Sequence, residues 1–469
     1  MKSRLGILVL IACAACGGDG SLEDARAAFQ IVSPRSDGTV NDASPTVRWN
    51  ILPQAAGYRV IVARDPAGQS IVERSPAVVG SSYTLTAELD DATVYYVTVV
   101  ADSVFGTPLE TVGPVRCRTL LVPDWFPPFR VVANDADARQ PGYRLVSLID
   151  RSNPRELSAG ALLLFNVEGE IVWWYMHPGG GQLSAQQPTS RGTIFTIQRG
   201  VSYEMDWSGN RLWERPGDSV SHHEITTGPD DNYMYMMWVF EDYLGTSFEG
   251  DGIELVDPVT NEIIWTWNIF DHFRPEDFLD IPEAGQQGLS RMGVDWSHSN
   301  AITWDADRSI IWMSIRHFDR VIGIDYPSGE VVITLGKGGI GGPELMSHQH
   351  AVEIQPDGSL MIWNNGNAHN PQVSRVRQFS FDETLGTHEI LFDWVDEPPF
   401  FDSAVGDANR LPNGNTLVTA GISGRTIELD PNGRIVWEIS MGRGIGYWLY
   451  RSELVPAAWL PDWIVDPFD

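Results

Sequence analysis

Thr426-Ile-Glu-Leu-Asp-Pro-Asn-Gly-Arg-Ile-Val-Trp437 decides the fold. A short alternating apolar run leads into Asp-Pro-Asn-Gly, and a second apolar run leaves it and ends in Trp437. Period-two apolar residues half-bury a strand, and Asn-Gly supplies the backbone conformation of a tight turn, so the stretch reads as a β-hairpin. The pattern recurs upstream in Leu162–Trp173, Tyr203–Trp213, Ile253–Trp265 and Val321–Ile333. A diverged copy begins at Val376-Arg-Gln-Phe-Ser-Phe, with Ile390–Trp394 as its return strand. Copies lie roughly 40 to 65 residues apart, and each follows a further strand pair, which is the signature of a repeat architecture. The expectation is an all-β chain whose repeats are the blades of a six-bladed β-propeller. The Trp residues are expected to pack between blades. The surplus between hairpins, such as Phe270 to Met292, is expected to form loops over one face.

Three histidines recur before the apolar strand that opens a repeat, in His223-Glu-Ile-Thr-Thr, His298-Ser-Asn-Ala-Ile and His350-Ala-Val-Glu-Ile. If that strand is the innermost of its blade, its start points into the axial channel, and the three imidazoles meet at one mouth. Arg316, in Ile310-Ile-Trp-Met-Ser-Ile-Arg-His317, ends the next strand and should return to the same mouth. Three imidazoles and a guanidinium suit an anion. Three histidines also suit zinc or iron. The neighbouring Arg316 argues against a cation, and no carboxylate obviously joins the set, so no metal and no cofactor is expected.

The 469-residue chain has 62 acidic and 32 basic residues and a net charge of -30. Such a surface repels nucleic acid and anionic membranes, and neither is expected as a partner. An anionic substrate then needs a local cationic pocket. At the N-terminus, Lys2 and Arg4 precede an apolar run, Leu5 to Ala12, too short to span a bilayer. Cys13 or Cys16 is the expected lipidation site of an exported lipoprotein, periplasmic or at the cell surface, with an outer membrane its expected residence and that anchor its only membrane contact. The expected division is a signal peptide over 1–16, a flexible tether over 17–27, a β-sandwich over 28–120 and the propeller over 121–469. Cys117 is the one cysteine left after the signal region, so no intramolecular disulfide framework is expected. The sandwich is read from Thr46–Trp49, Tyr58–Ala63, Tyr83–Thr86 and Val94–Ala101, and its Trp49 and Tyr/Val strand resemble fibronectin type III domains.

Several segments resemble the bacterial arylsulfate sulfotransferase family, the PAPS-independent arylsulfotransferases. They are Asp295-Trp-Ser-His298-Ser-Asn300, Ser314-Ile-Arg316-His, Gln349-His350-Ala, Trp363-Asn-Asn-Gly366, Ser374-Arg-Val, His222-His223-Glu-Ile and the tail Tyr450-Arg-Ser-Glu-Leu. The resemblance implies ping-pong transfer of a sulfuryl group from an aryl sulfate donor to a phenol acceptor. It implies that His350 takes the group and that His223, His298 and Arg316 surround it. It implies that Asn300, His222, Asn365 and Arg375 contact substrate, with His222 an alternative for the place given to His223. The competing expectation is a non-catalytic or metal-binding propeller that holds a ligand or a cell-surface polymer.

Overall fold

The computed structural model describes residues 28–152, 159–177, 179–215, 217, 220–278, 293–443 and 446–466. The expected signal and tether, with Cys13 and Cys16, lie outside them, as does the second half of the Phe270 to Met292 stretch. The described residues are all-β, apart from short 3-10 turns and one four-residue α-helix, Asp462–Val465. Among them no helix is long and apolar enough to cross a membrane.

The chain forms two compact units. The described part of the first runs to Arg35 and resumes over Thr46–Thr86 and Tyr96–Val115. The second takes Ser36–Pro45, Ala87–Tyr95 and everything from Arg116. In the N-terminal region, Ile31–Ser33, Thr46–Trp49 and Ser82–Thr84 make a three-stranded sheet in that order. A second sheet has the spatial order Gly38–Val40, Pro108–Thr119, Val94–Asp102, Gly57–Ala63, Ile71–Arg74. Trp49 is buried against Tyr58, ring centroids 5.3 Å apart, as the alternation of these strands requires.

The larger unit contains six sheets of four or five strands, met in chain order. Each of the six hairpins read from sequence supplies the third and fourth strands of its sheet, for example Arg425–Leu429 and Ile435–Ser440. The first strands of successive repeats, among them Leu183–Pro188, Ser221–Thr227, Ser299–Asp305, His350–Ile354 and Asp407–Arg410, touch one another in order. Tyr447–Val455 touches both Leu183–Pro188 and Asp407–Arg410, so the series closes on itself. Two strand exchanges seal the closure. Tyr447–Val455 pairs with Tyr143–Asp150 of the first sheet, and Arg130–Asn134 pairs with Ile435–Ser440 of the sixth.

The tryptophans that end the hairpins repeat one contact. The Trp173 indole N–H donates to Trp207 O in the next sheet's turn at 2.9 Å, and Trp265 donates to Pro327 O at 3.0 Å. Trp394 donates to Gly433 O at 3.1 Å, and Trp437 closes the ring on Val167 O of the first sheet at 2.7 Å. Trp213 reaches the Asn261 side chain in the same way. The fourth repeat ends in Ile333 and lacks this bond. An indole suits the place because it buries a large apolar ring while its N–H satisfies a turn carbonyl.

Candidate functional site

The three histidines enter at unequal points. His223 is the third residue of Ser221–Thr227, His298 stands just before Ser299–Asp305, and His350 opens His350–Ile354. The equivalence expected from sequence is therefore approximate. Each of these strands carries a bulge near its start, between His222 and Ile225, Ser299 and Ala301, and His350 and Glu353. A bulge re-aims side chains, and His223 and His298 take left-handed backbone, φ 55° and 50°. Such backbone costs a non-glycine residue about 1 kcal/mol and is concentrated at functional sites.

The result is a row of rings. His223 and His298 lie with centroids 5.0 Å apart, and His222 contacts His223 through their Nδ1 atoms at 2.8 Å. A carboxylate stands at each end. Asp251 Oδ1 lies 3.2 Å from His222 Nε2, and Asp295 Oδ2 lies 2.6 Å from His298 Nδ1. The expectation that no carboxylate joins the histidines is thus corrected by Asp295. Potential ligand atoms of Asp295, His298 and His317 also lie within 4.8 Å of one another, a set able to hold a metal ion.

His350 is held from both nitrogens. Asn365 Nδ2 donates to the carbonyls of Asp402 and Val405 at 2.8 and 3.0 Å, which turns its Oδ1 toward His350 Nδ1 at 2.7 Å. An amide oxygen only accepts, so Nδ1 carries the proton and the lone pair lies on Nε2. The Val405 N–H donates to that Nε2 at 3.2 Å. Arg316 is buried just past Ile310–Ile315, the second strand after His298, and it donates to Ser403 O at 3.1 Å. Burial holds His350 well below the usual imidazole range, and the Arg316 charge adds to this. Burial does the same to His223, reinforced by His222, His298 and His350. Burial is also the largest influence on Asp295 and pushes its carboxyl up. The His298 hydrogen bond, with the His298, His317 and Arg316 charges, outweighs it and leaves Asp295 below its ordinary value.

The remaining expected residues divide. Asn365 joins the site through His350. His222 sits one step behind His223, stacked on Trp238 with centroids 5.0 Å apart. Asn300 is buried beside the cluster, its amide donating to Gln349 O at 2.8 Å and its oxygen without a partner among the described residues. Arg375 is not brought to the histidines, because Asp393 on the adjacent outer strand takes its guanidinium at 3.0 Å. Tyr450, on the closing strand, packs against His223 with centroids 6.2 Å apart. Tyr450 and Asp295 both stood in segments read from sequence, but nothing in the repeat pattern pointed to their contacts.

Among solved structures, the chain is similar to a protein of unknown function from Bacteroides caccae, at 15% identity over 67% of this chain and 98% of that one, TM-score 0.44. It is also similar to a putative 6-phosphogluconolactonase from Bacteroides fragilis, at 13% identity over 86% of this chain and 99% of that one, TM-score 0.35. Likenesses this weak carry no argument. No curated protein matches the chain. The family model described as Arylsulfotransferase (ASST) matches residues 147–444, which hold His223, His298, His350, Arg316 and Asn365. That match spans well over half of the chain, and the protein belongs to the arylsulfotransferase family.

Proposed function

We propose that this protein is an arylsulfate sulfotransferase that works without PAPS, by a ping-pong reaction through a sulfohistidine at His350. One observation carries the reading. The His350 imidazole is neutral, with its lone pair fixed on Nε2, and it lies within the field of a buried arginine. In the first half-reaction His350 Nε2 attacks sulfur, and the S–O bond to the aryl group breaks. The phenolate leaves with the bonding pair and takes a proton from doubly protonated His298, whose Nδ1–H stays on Asp295. The Val405 N–H, which occupies Nε2, gives way to the incoming group. Arg316 presents paired donors to the sulfuryl oxygens, where charge spreads in the transition state. In the second half-reaction the acceptor phenol attacks sulfur and loses its proton to His298. The N–S bond then breaks and regenerates neutral His350.

The same reading makes the six sheets the blades of a propeller over 121–469, supported by the closed series of first strands and the tryptophan ring. It makes 28–120 a fibronectin type III-like sandwich, supported by the three-stranded order of its first sheet. It retains residues 1–16 as a signal peptide and 17–27 as a tether, with lipidation at Cys13 or Cys16 and residence in the periplasm or at the cell surface, on an outer membrane.

The test is release of 4-nitrophenol from 4-nitrophenyl sulfate, with and without added phenol. Acceptor-dependent release with formation of phenyl sulfate is the expected result. No turnover with any acceptor, together with tight binding of a divalent metal that Asp295→Asn abolishes, would favour the metal-binding reading supported by Asp295, His298 and His317. Full transfer after exhaustive chelation would exclude it.

A further inference from the structure

Beside His223 opens a cavity of about 470 Å³, walled by Tyr450, Trp238 and His222 and bordered by Arg199. The aromatic rings suit the aryl group of a donor or acceptor as it leaves or approaches the sulfuryl position. Arg199 has no role in that reaction. It forms, with Gly200, the two-residue turn between Thr193–Gln198 and Val201–Asp206. Both residues have positive φ, 51° and 80°. Such a turn favours Asn, Asp or Gly at its first position, and a long side chain there is held against local preference.

The surroundings are cut to fit that side chain. It lies across Gly181, where a Cβ would stand 3.2 Å from Arg199 Nε. One Nη2 contact, to Gly179 O at 2.6 Å, steadies it. Among the described residues no carboxylate pairs with Arg199, in a chain with 62 acidic residues against 32 basic ones. The guanidinium is exposed at the cavity wall, whereas the sulfuryl position belongs to the buried Arg316.

We propose that Arg199 is a specificity residue for phenols and aryl sulfates that carry a second anionic group, such as a carboxylate, on the arm or ring facing away from the reacting oxygen. The proposal rests on the sulfotransferase reading for its substrate class. A planar guanidinium at the wall of an aromatic slot pairs with a carboxylate through two donors. In an otherwise acidic protein it also draws an anionic ring toward this side of the cavity.

The test compares 3-(4-hydroxyphenyl)propanoate with its methyl ester, whose phenols have nearly the same reactivity because two methylenes insulate them. Binding of each to the full-length protein is measured by calorimetry, in wild type, Arg199→Ala and Arg199→Lys. The acid should bind about three- to tenfold tighter than the ester in wild type. That ratio should shrink with added salt, fall to near one in Arg199→Ala and be partly restored in Arg199→Lys. Equal affinity for acid and ester in wild type, or a preference that survives Arg199→Ala, would overturn the proposal. Transfer from 4-nitrophenyl sulfate to the two phenols is followed in parallel. Absence of transfer to either counts against the sulfotransferase reading, while the binding ratio still decides the role of Arg199.

Discussion

Two contacts at the residue scale carry most of the proposed chemistry. Asp295 fixes the proton of His298 on Nδ1, as a carboxylate behind a catalytic imidazole does, and stabilises the ring when it gains a second proton. Asp295→Asn should therefore slow turnover of phenyl sulfate, a poor leaving group, far more than that of 4-nitrophenyl sulfate, which needs little help from an acid. A plot of rate against leaving-group acidity measures this, and an unchanged slope would remove Asp295 from proton transfer. Arg316→Lys keeps a charge but loses the paired donors, and loss of one contact in such a preorganised site costs on the order of 10²-fold in rate. Nearly full activity in the lysine variant would show that Arg316 does not hold the sulfuryl group. The residue types of the site were legible in the sequence, because His223, His298 and His350 each stand at or close to the start of a repeat's first strand. Asp295 was not, since its contact depends on the left-handed turn at His298, which no pattern of residue types reveals. Arg375 stands apart from the histidines for the opposite reason. It lies within a matching segment, but it starts the third strand of its sheet, where Asp393 takes it.

At the element scale, the hairpins were legible because each joins an alternating apolar strand to a turn and a closing Trp. The tertiary contact of those tryptophans was read only as packing. The structure adds a directional bond, from each indole to the turn of the next sheet, that ties neighbours in sequence order. The bond from Trp437 to Val167 O joins the last sheet to the first. Trp437→Phe should leave that carbonyl without its donor and cost about 1–3 kcal/mol, read as a lower midpoint in denaturant. An unchanged midpoint would mean that packing alone closes the ring. The exchanged strands at the closure were not legible as partners. Arg130–Asn134 and Tyr447–Val455 pair across some 300 residues of chain, a separation at which local sequence pattern carries no register information.

Across the whole molecule, the ring of first strands gathers charge as well as histidines. Glu224 beside His223 is bound by Arg451, and Glu353, Asp407 and Glu453 share the same cavity of about 360 Å³. Burial pushes the Glu353 carboxyl up from 4.5 to about 7. The folded protein then keeps a proton that the unfolded chain releases between those values, so this group's contribution to stability is present at low pH and lost as pH rises through the window. Glu353→Gln does not titrate, and its melting temperature relative to wild type should be more favourable at pH ~8 than at pH ~5. The same difference at both pH values would place the Glu353 carboxylate in a well-solvated site. The buried imidazoles act with the opposite sign, because His222, His223 and His350 are held neutral while the unfolded chain protonates below 6.5. The central claim is that the repeats bring these groups together so that His350 carries the sulfuryl group. Mass spectrometry after incubation with 4-nitrophenyl sulfate and no acceptor tests it most directly. The account predicts a burst of nitrophenol and one sulfated peptide, containing His350, whose label is discharged by phenol and absent from folded His350→Ala. A label on another residue, or normal transfer by His350→Ala, would contradict it.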